Sequence, residues 1–264
     1  MKRIIILFLS VLYCTSNNSY CRNEIFTGAS CQKDGRSMAL GGGMMGIEQS
    51  DSSAIFLNCQ LPYNLRELSI KSIKLTNPTK WMKLDVFWAQ TGDAVFLENY
   101  LSLGTSRYLS GSFMLGIKAG YYHYSLISDE RGGTLLSEIN CSYKLYENFK
   151  IDIYIFNPTG SKINKGENDI PLYQSFHIGG LFSNTEKAEW LFEIEKVQQE
   201  KLIWHLGFEY AVWDTFILRT GFSTNPLKPS WGIGGQFHRL KYSLGGNVHP
   251  VLGLSSSFTI SYNW

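Results

Sequence analysis

The sequence predicts an all-β fold, a transmembrane antiparallel β-barrel of about 14 strands whose N-terminal segment enters or caps the lumen. Three observations carry that reading. Apolar residues recur at every second position in run after run, with polar or small residues between them. The composition is rich in aromatic residues (14%) and in glycine (25 residues), and only 17% of residues are charged. Beyond the N-terminus, no apolar run approaches the ~20 residues a transmembrane helix needs.

The elements follow in chain order. Lys2 and Arg3 precede an apolar run over 4–13 and a polar stretch over 15–20. That order is a secretory signal peptide, expected over 1–20 and too short to span a bilayer as a mature helix. Roughly 240 residues then remain, suited to one domain. Residues 21–66 form an N-terminal segment carrying a Gly-rich first strand or plug near 37–45, and 67–264 form the barrel.

Each membrane strand needs about 9–11 tilted residues with alternating faces. Between 135 and 145 the outward set is Leu135, Ser137, Ile139, Cys141, Tyr143 and Leu145, against Leu136, Glu138, Asn140, Ser142 and Lys144 inward. Similar alternation starts at 81, 113 and 151, at 192, 206 and 216, and at 243 and 258. About 13 strands follow Glu67, and the 37–45 segment makes roughly 14. The weakest run is 67–75, where the apolar phase slips between Ile70 and Ile73. The stretch 186–202, rich in Glu, Lys and Gln, competes as a helix. Phe192 and Ile194 alternating with Glu193 and Glu195 favour two strands instead.

Tryptophans 81, 190, 204 and 231 fall near strand starts, and 88, 213 and 264 near strand ends. Indoles favour the headgroup level, which argues for a membrane girdle over a soluble β-sandwich. The last run closes on an aromatic residue within an amphipathic strand, as outer-membrane barrels do. These cues point to a bacterial outer membrane, with its lipid as the surrounding partner. A net charge of +2 gives no reason to expect nucleic acid.

A resemblance narrows this. Gly35-Arg36-Ser37-Met38-Ala39-Leu40-Gly41-Gly42, then Asp51-Ser52-Ser53-Ala54-Ile55-Phe56-Leu57-Asn58, resembles the N-terminal signature of fatty-acid-transporter-like barrels. It is most similar to the PorV/PorQ type associated with type IX secretion. Here Asn58-Cys59-Gln60 stands where the family has Asn-Pro-Ala. The resemblance implies a barrel whose N-terminal stretch enters the lumen, and a secretion-system or surface protein as partner. It carries over no ligand.

Hairpin geometry then pairs lumen residues. A turn centred at Asp214 sets Glu209 across from Arg219, and one centred at Gln199 sets Glu193 across from His205. Asp152, Glu195, Lys118 and Glu138 join these four as a lumen-facing polar network, with Lys144, His177, His238 and Lys241 on the same predicted face. Mixed charge signs suit a filled interior better than an ion-selective pore. The cysteines lack metal-ligand spacing, and no cofactor, metal or catalytic residue is expected. Gly-x-Ser-x-Gly, His-Glu-x-x-His and phosphate-loop motifs are absent from the sequence. The expected function is therefore a non-enzymatic barrel, either transport conduit or secretion-associated scaffold. A barrel-embedded hydrolase using Glu193 and His205 and a secreted soluble sandwich are the alternatives. The stretch 158–171 is the longest expected loop and the surface most suited to a partner.

Overall fold

The computed structural model describes residues 30–128, 131–163, 170–185, 187–198, 200–213 and 215–264. The expected signal peptide lies outside them. Alternating sequence becomes alternating burial from the first strand on. In β1 (Ala54–Leu61), Ala54, Phe56 and Gln60 are buried while Leu57 and Cys59 are exposed. Thirteen more barrel strands follow: β2 (Ile70–Pro78), β3 (Lys83–Gly92), β4 (Phe96–Tyr108), β5 (Phe113–Leu126), β6 (Arg131–Tyr146), β7 (Phe149–Phe156), β10 (Ser175–Thr185), β11 (Ala188–Val197), β12 (Ile203–Trp213), β13 (Phe216–Ser223), β14 (Lys228–Phe237), β15 (Leu240–His249) and β16 (Gly253–Asn263). Each pairs antiparallel with its neighbours, and β16 returns to β1 to close the barrel, Ala54 opposite Asn263 and Leu61 opposite Ser256. Closure removes both sheet edges, the condition for placing strands in hydrocarbon.

The barrel thus begins at Ala54, ahead of residue 67. Its fourteenth strand is β1, and the 37–45 segment is not a strand. Gly41 and Gly42 take positive φ (95° and 79°), a backbone that turns rather than extends. The segment starts instead as a short helix, α1 (Gly35–Ala39), inside the lumen. Within 186–202 the structure has a strand, β11 (Ala188–Val197), as period two requires. The phase slip in β2 also resolves. Ile70 is buried in the lumen, whereas Ile73 and Leu75 face outward and Lys74 points in.

Tight turns of a few residues lie at the barrel end that carries Ala54 and Asn263. The opposite end carries the longer connections, including 157–174, and is called the loop end below. That connection is not a free loop. It holds the small hairpin β8 (Lys162–Ile163) and β9 (Ile170–Pro171), and Ile163 and Tyr173 are buried against the barrel end. Asn157 anchors it, its side-chain amide donating to the carbonyls of Leu172 and Tyr173.

The outer wall is apolar along its middle, with Leu57, Leu84, Leu103, Ile117, Leu206 and Phe258 all exposed. Trp81, Tyr108, Tyr146, Trp213 and Trp264 ring the tight-turn end, and Trp204 lies near the loop end. Trp88 departs from the expected girdle. It sits mid-strand between Ile73 and Leu101, at the centre of the apolar band.

Candidate functional site

The lumen is filled from within by the segment ahead of β1. Asp34 caps α1 by accepting from the Ser37 amide at 2.7 Å, and Ser37 Oγ accepts from the Asp34 amide at 3.0 Å. The second Asp34 oxygen accepts from the Glu48 amide at 2.7 Å, so one carboxylate ties both ends of the plug loop together. Burial, and then the Asp34 charge beside it, pushes the Glu48 carboxyl above its ordinary range.

The wall makes room for this plug with glycine. A Cβ on Gly207 would lie 2.8 Å from Leu40 Cβ, one on Gly221 2.7 Å from the Gly41 amide, and one on Gly232 2.5 Å from Ala39 Cβ. A Cβ on Gly245 would overlap the Gly35 carbonyl. These glycines run across β12–β15 and form a groove into which α1 and its following turn settle. Ser230 Oγ donates to the Ala39 carbonyl at 3.0 Å, and Thr259 Oγ1 accepts from the Gly35 amide at 2.8 Å, completing the seat.

The expected network residues all lie on the lumen side of their strands, and all but Asp152 fall into three clusters organised by the plug. In the first, Glu138 accepts from Tyr100 at 2.5 Å, Tyr154 at 3.1 Å and the plug's Gln32 at 2.8 Å, with Lys118 at 3.4 Å. In the second, Glu209 stands opposite Arg219 in register and accepts from its Nε at 2.6 Å. The same carboxylate accepts from Arg36 of α1 at 2.9 Å, and Arg36 also pairs with Glu189. Burial opposes the Arg36 charge, but Glu209 and Glu189 outweigh it and hold the guanidinium above its ordinary value.

The third cluster differs from the expected pairing. Glu193 and His205 are opposite in register, yet neither bonds the other. Tilted strands lean their side chains diagonally. His177 Nδ1 meets Glu193 at 2.8 Å, and His205 Nε2 meets Glu195 at 2.9 Å. Glu193 also accepts the plug amides of Met44 and Met45 at 3.0 and 2.8 Å. His205 Nδ1 faces the Gly41 carbonyl at 2.8 Å.

Asp152 stands apart from the three clusters, paired with Lys150 at 3.0 Å. His238 is exposed in the turn after β14, where it adopts φ 54°, because a turn residue has left the strand's alternation. Lys144 keeps its phase but is exposed near the end of β6. Sequence reasoning missed Arg36, Gln32, Glu189 and Ser175. Glu189 was legible, since it shares the odd-numbered phase of Glu193 and Glu195. Arg36 and Gln32 precede any periodic pattern, and the 35–42 motif that contains Arg36 marks the segment without naming the partners of its side chain.

Beyond the plug the lumen divides into two zones. Toward the tight turns, two cavities of about 120 and 290 Å³, each lined by both polar and apolar side chains, flank Met45, Ile47 and Gln49. Lys74 and Lys83 reach into the smaller one and donate to the plug carbonyls of Glu48 and Ser50. Toward the loop end, Phe87, Tyr100, Tyr122, Leu136, Tyr154 and Phe156 form one apolar and aromatic cluster on β3–β7. Its hydroxyls are satisfied on buried carboxylates, Tyr122 on Glu98 and Tyr100 on Glu138.

Ser175, His177 and Glu193 hydrogen-bond in the order of a hydrolase triad, with Ser175 Oγ 2.9 Å from His177 Nε2. All three are buried, and neither cavity is lined by Ser175.

No protein-family model and no curated protein sequence matches the chain. Solved structures do. The Pseudomonas putida toluene transporter TodX shares 10% identity over 89% of this chain and 96% of its own, with a TM-score of 0.59. CymD, a monoaromatic hydrocarbon channel, shares 10% over 90% and 99%, with a TM-score of 0.62. A Pseudomonas aeruginosa FadL homologue shares 8% over 91% and 95%, with a TM-score of 0.56. The fold is that of the FadL-type barrels.

Proposed function

We propose that this protein is an outer-membrane conduit for small apolar or aromatic molecules, gated by its plug. The observation that carries the reading is the asymmetry of the lumen. One wall, β12–β15, is built of glycine and charge to hold the plug. The facing wall, β3–β7, carries a buried apolar and aromatic cluster toward the loop end. Apolar lining with few polar groups suits a hydrophobic solute. The filled lumen argues against an open porin, and the hydrocarbon channels TodX and CymD share the fold.

The test is uptake of a labelled monoaromatic solute by Gram-negative cells expressing the full chain. Expression is expected to raise uptake above cells carrying an empty vector, and Leu136→Lys, which puts a charge into the aromatic lining, is expected to abolish the gain. No gain from a folded, membrane-located protein would refute the conduit.

A second reading, a secretion-associated scaffold of PorV/PorQ type, is favoured by the 35–42 segment that forms the plug helix. It requires a protein partner, and the β8–β9 hairpin at the loop end is the surface best placed for one. Capture of a secretion-system component that depends on that hairpin would support it.

A further inference from the structure

We propose that His177, Glu193, Glu195 and His205 form a binding site for a divalent metal ion of the zinc class, seated directly beneath the plug. This goes beyond the conduit reading and stands independently of it.

The four residues sit on three adjacent strands in a checkerboard, His177 opposite Glu195 and Glu193 opposite His205. All are buried. The ligand atoms of His177, Glu193 and Glu195 lie within 4.8 Å of one another, and His205 Nε2 is 2.9 Å from Glu195. Two imidazoles and two carboxylates are a donor set suited to zinc, whereas magnesium and calcium favour oxygen alone.

Hydrogen-bond accounting supplies the independent argument. The Gly41 carbonyl can only accept, so His205 Nδ1 carries the hydrogen it shares there. A neutral ring then turns its Nε2 lone pair toward Glu195, which is also an acceptor. A cation bound between Nε2 and the carboxylate removes that conflict and offsets the charge of two buried carboxylates.

The surroundings already resemble the outer shell of a metal site. A ligating histidine commonly gives its other ring nitrogen to a carbonyl or polar oxygen. His205 does so to Gly41 and His177 to Ser175. The plug amides of Met44 and Met45 fix the Glu193 carboxylate. A metal here would clip β10, β11 and β12 together and, through Gly41 and Glu193, hold the plug in its seat.

The experiment uses untagged, folded full-length protein in detergent, stripped with a chelator. It is titrated with Zn²⁺ by calorimetry and with Co²⁺ by visible absorption. About one ion per chain and an intense four-coordinate cobalt spectrum are expected. Glu195→Gln and His205→Gln should each weaken Zn²⁺ binding by more than ~100-fold, beyond the loss of an outer-shell contact. The compact heat-sensitive form on a gel shows that the variants still fold. If a variant does not fold, the wild-type cobalt spectrum decides alone. Absence of Zn²⁺ binding, a weak six-coordinate cobalt spectrum, or unchanged binding in folded variants would overturn the site. The same holds if His205 proves to be an imidazolium in protein given Zn²⁺, because the ring would then satisfy both acceptors by itself.

Discussion

Replacing Gly207 with alanine should loosen the plug without harming the barrel. The new methyl would lie 2.8 Å from Leu40 Cβ, 2.8 Å from the Leu40 carbonyl oxygen and 3.0 Å from Leu40 Cα, all three of them plug atoms. Ordinary contact begins near 3.4 Å, so Leu40 must retreat by ~0.6 Å. It has nowhere to go, being 1% exposed and followed by the Gly41 turn, whose amide already crowds Gly221. Overpacking of this kind costs about 1–3 kcal/mol, a factor of ~5–150 in the docking equilibrium. The strand itself gains slightly, since alanine is favoured over glycine there by roughly 0.5–1 kcal/mol. Cys31, buried in the lumen at 4% exposure, reports the outcome. With the other cysteines changed to serine, its maleimide labelling rate in folded protein should rise by that factor. Gly246→Ala is the matched control. It lies on the same strand wall, but its methyl would meet the nearest atom at 3.4 Å, and labelling should not change. Equal labelling rates in Gly207→Ala, Gly246→Ala and wild type would refute the glycine groove as the plug's seat.

Other outcomes follow from the same contacts. Arg36→Ala should destabilise plug docking by about 2 kcal/mol, less than the ~3–5 of a fully buried pair, because Glu209 keeps Arg219. Cys31 labelling checks it, and a rate equal to wild type would contradict the ion-pair account. In single-tryptophan variants, lipids brominated deep in the acyl chain should quench Trp88 most, and shallow bromines should favour Trp81, Trp213 and Trp264. Because Glu48 is raised above its ordinary value of 4.5, the seated plug binds a proton that the unfolded chain releases. That contribution is complete below 4.5 and is lost as pH rises through the raised value. Glu48→Gln should therefore flatten the pH dependence of Cys31 labelling, and an unchanged pH profile would rule Glu48 out. Asn157→Ala removes the amide that holds Leu172 and Tyr173, and should expose 157–174 to protease while the barrel stays heat-modifiable.

Much of the wall was legible because its physics is local. A strand between water and lipid repeats every two residues, and a short hairpin fixes register by counting from its turn. That is why Glu209 opposite Arg219 and Glu193 opposite His205 could be read from the chain alone. The same rule located the 13 strands after Glu67 but overlooked β1. Most of β1 falls inside the 51–58 motif, yet Ala54, Phe56 and Gln60 alternate with Ile55, Leu57 and Cys59 as a strand requires. His238 was misplaced because a strand's phase was carried one step into a turn.

The plug lies beyond such reading. Its contacts join residues far apart in sequence, as when Met44 and Met45 reach Glu193 or Gly41 reaches His205, and no local period encodes them. Register gave which residues face one another, whereas strand tilt decided which ones bond, sending Glu193 to His177 and Glu195 to His205. The sequence by itself determined an alternating, lipid-facing wall, because burial there depends on one residue and its neighbours two away. Only the tertiary structure decided how the N-terminal segment seats in the lumen, because that depends on a glycine groove and buried charges contributed by many strands at once.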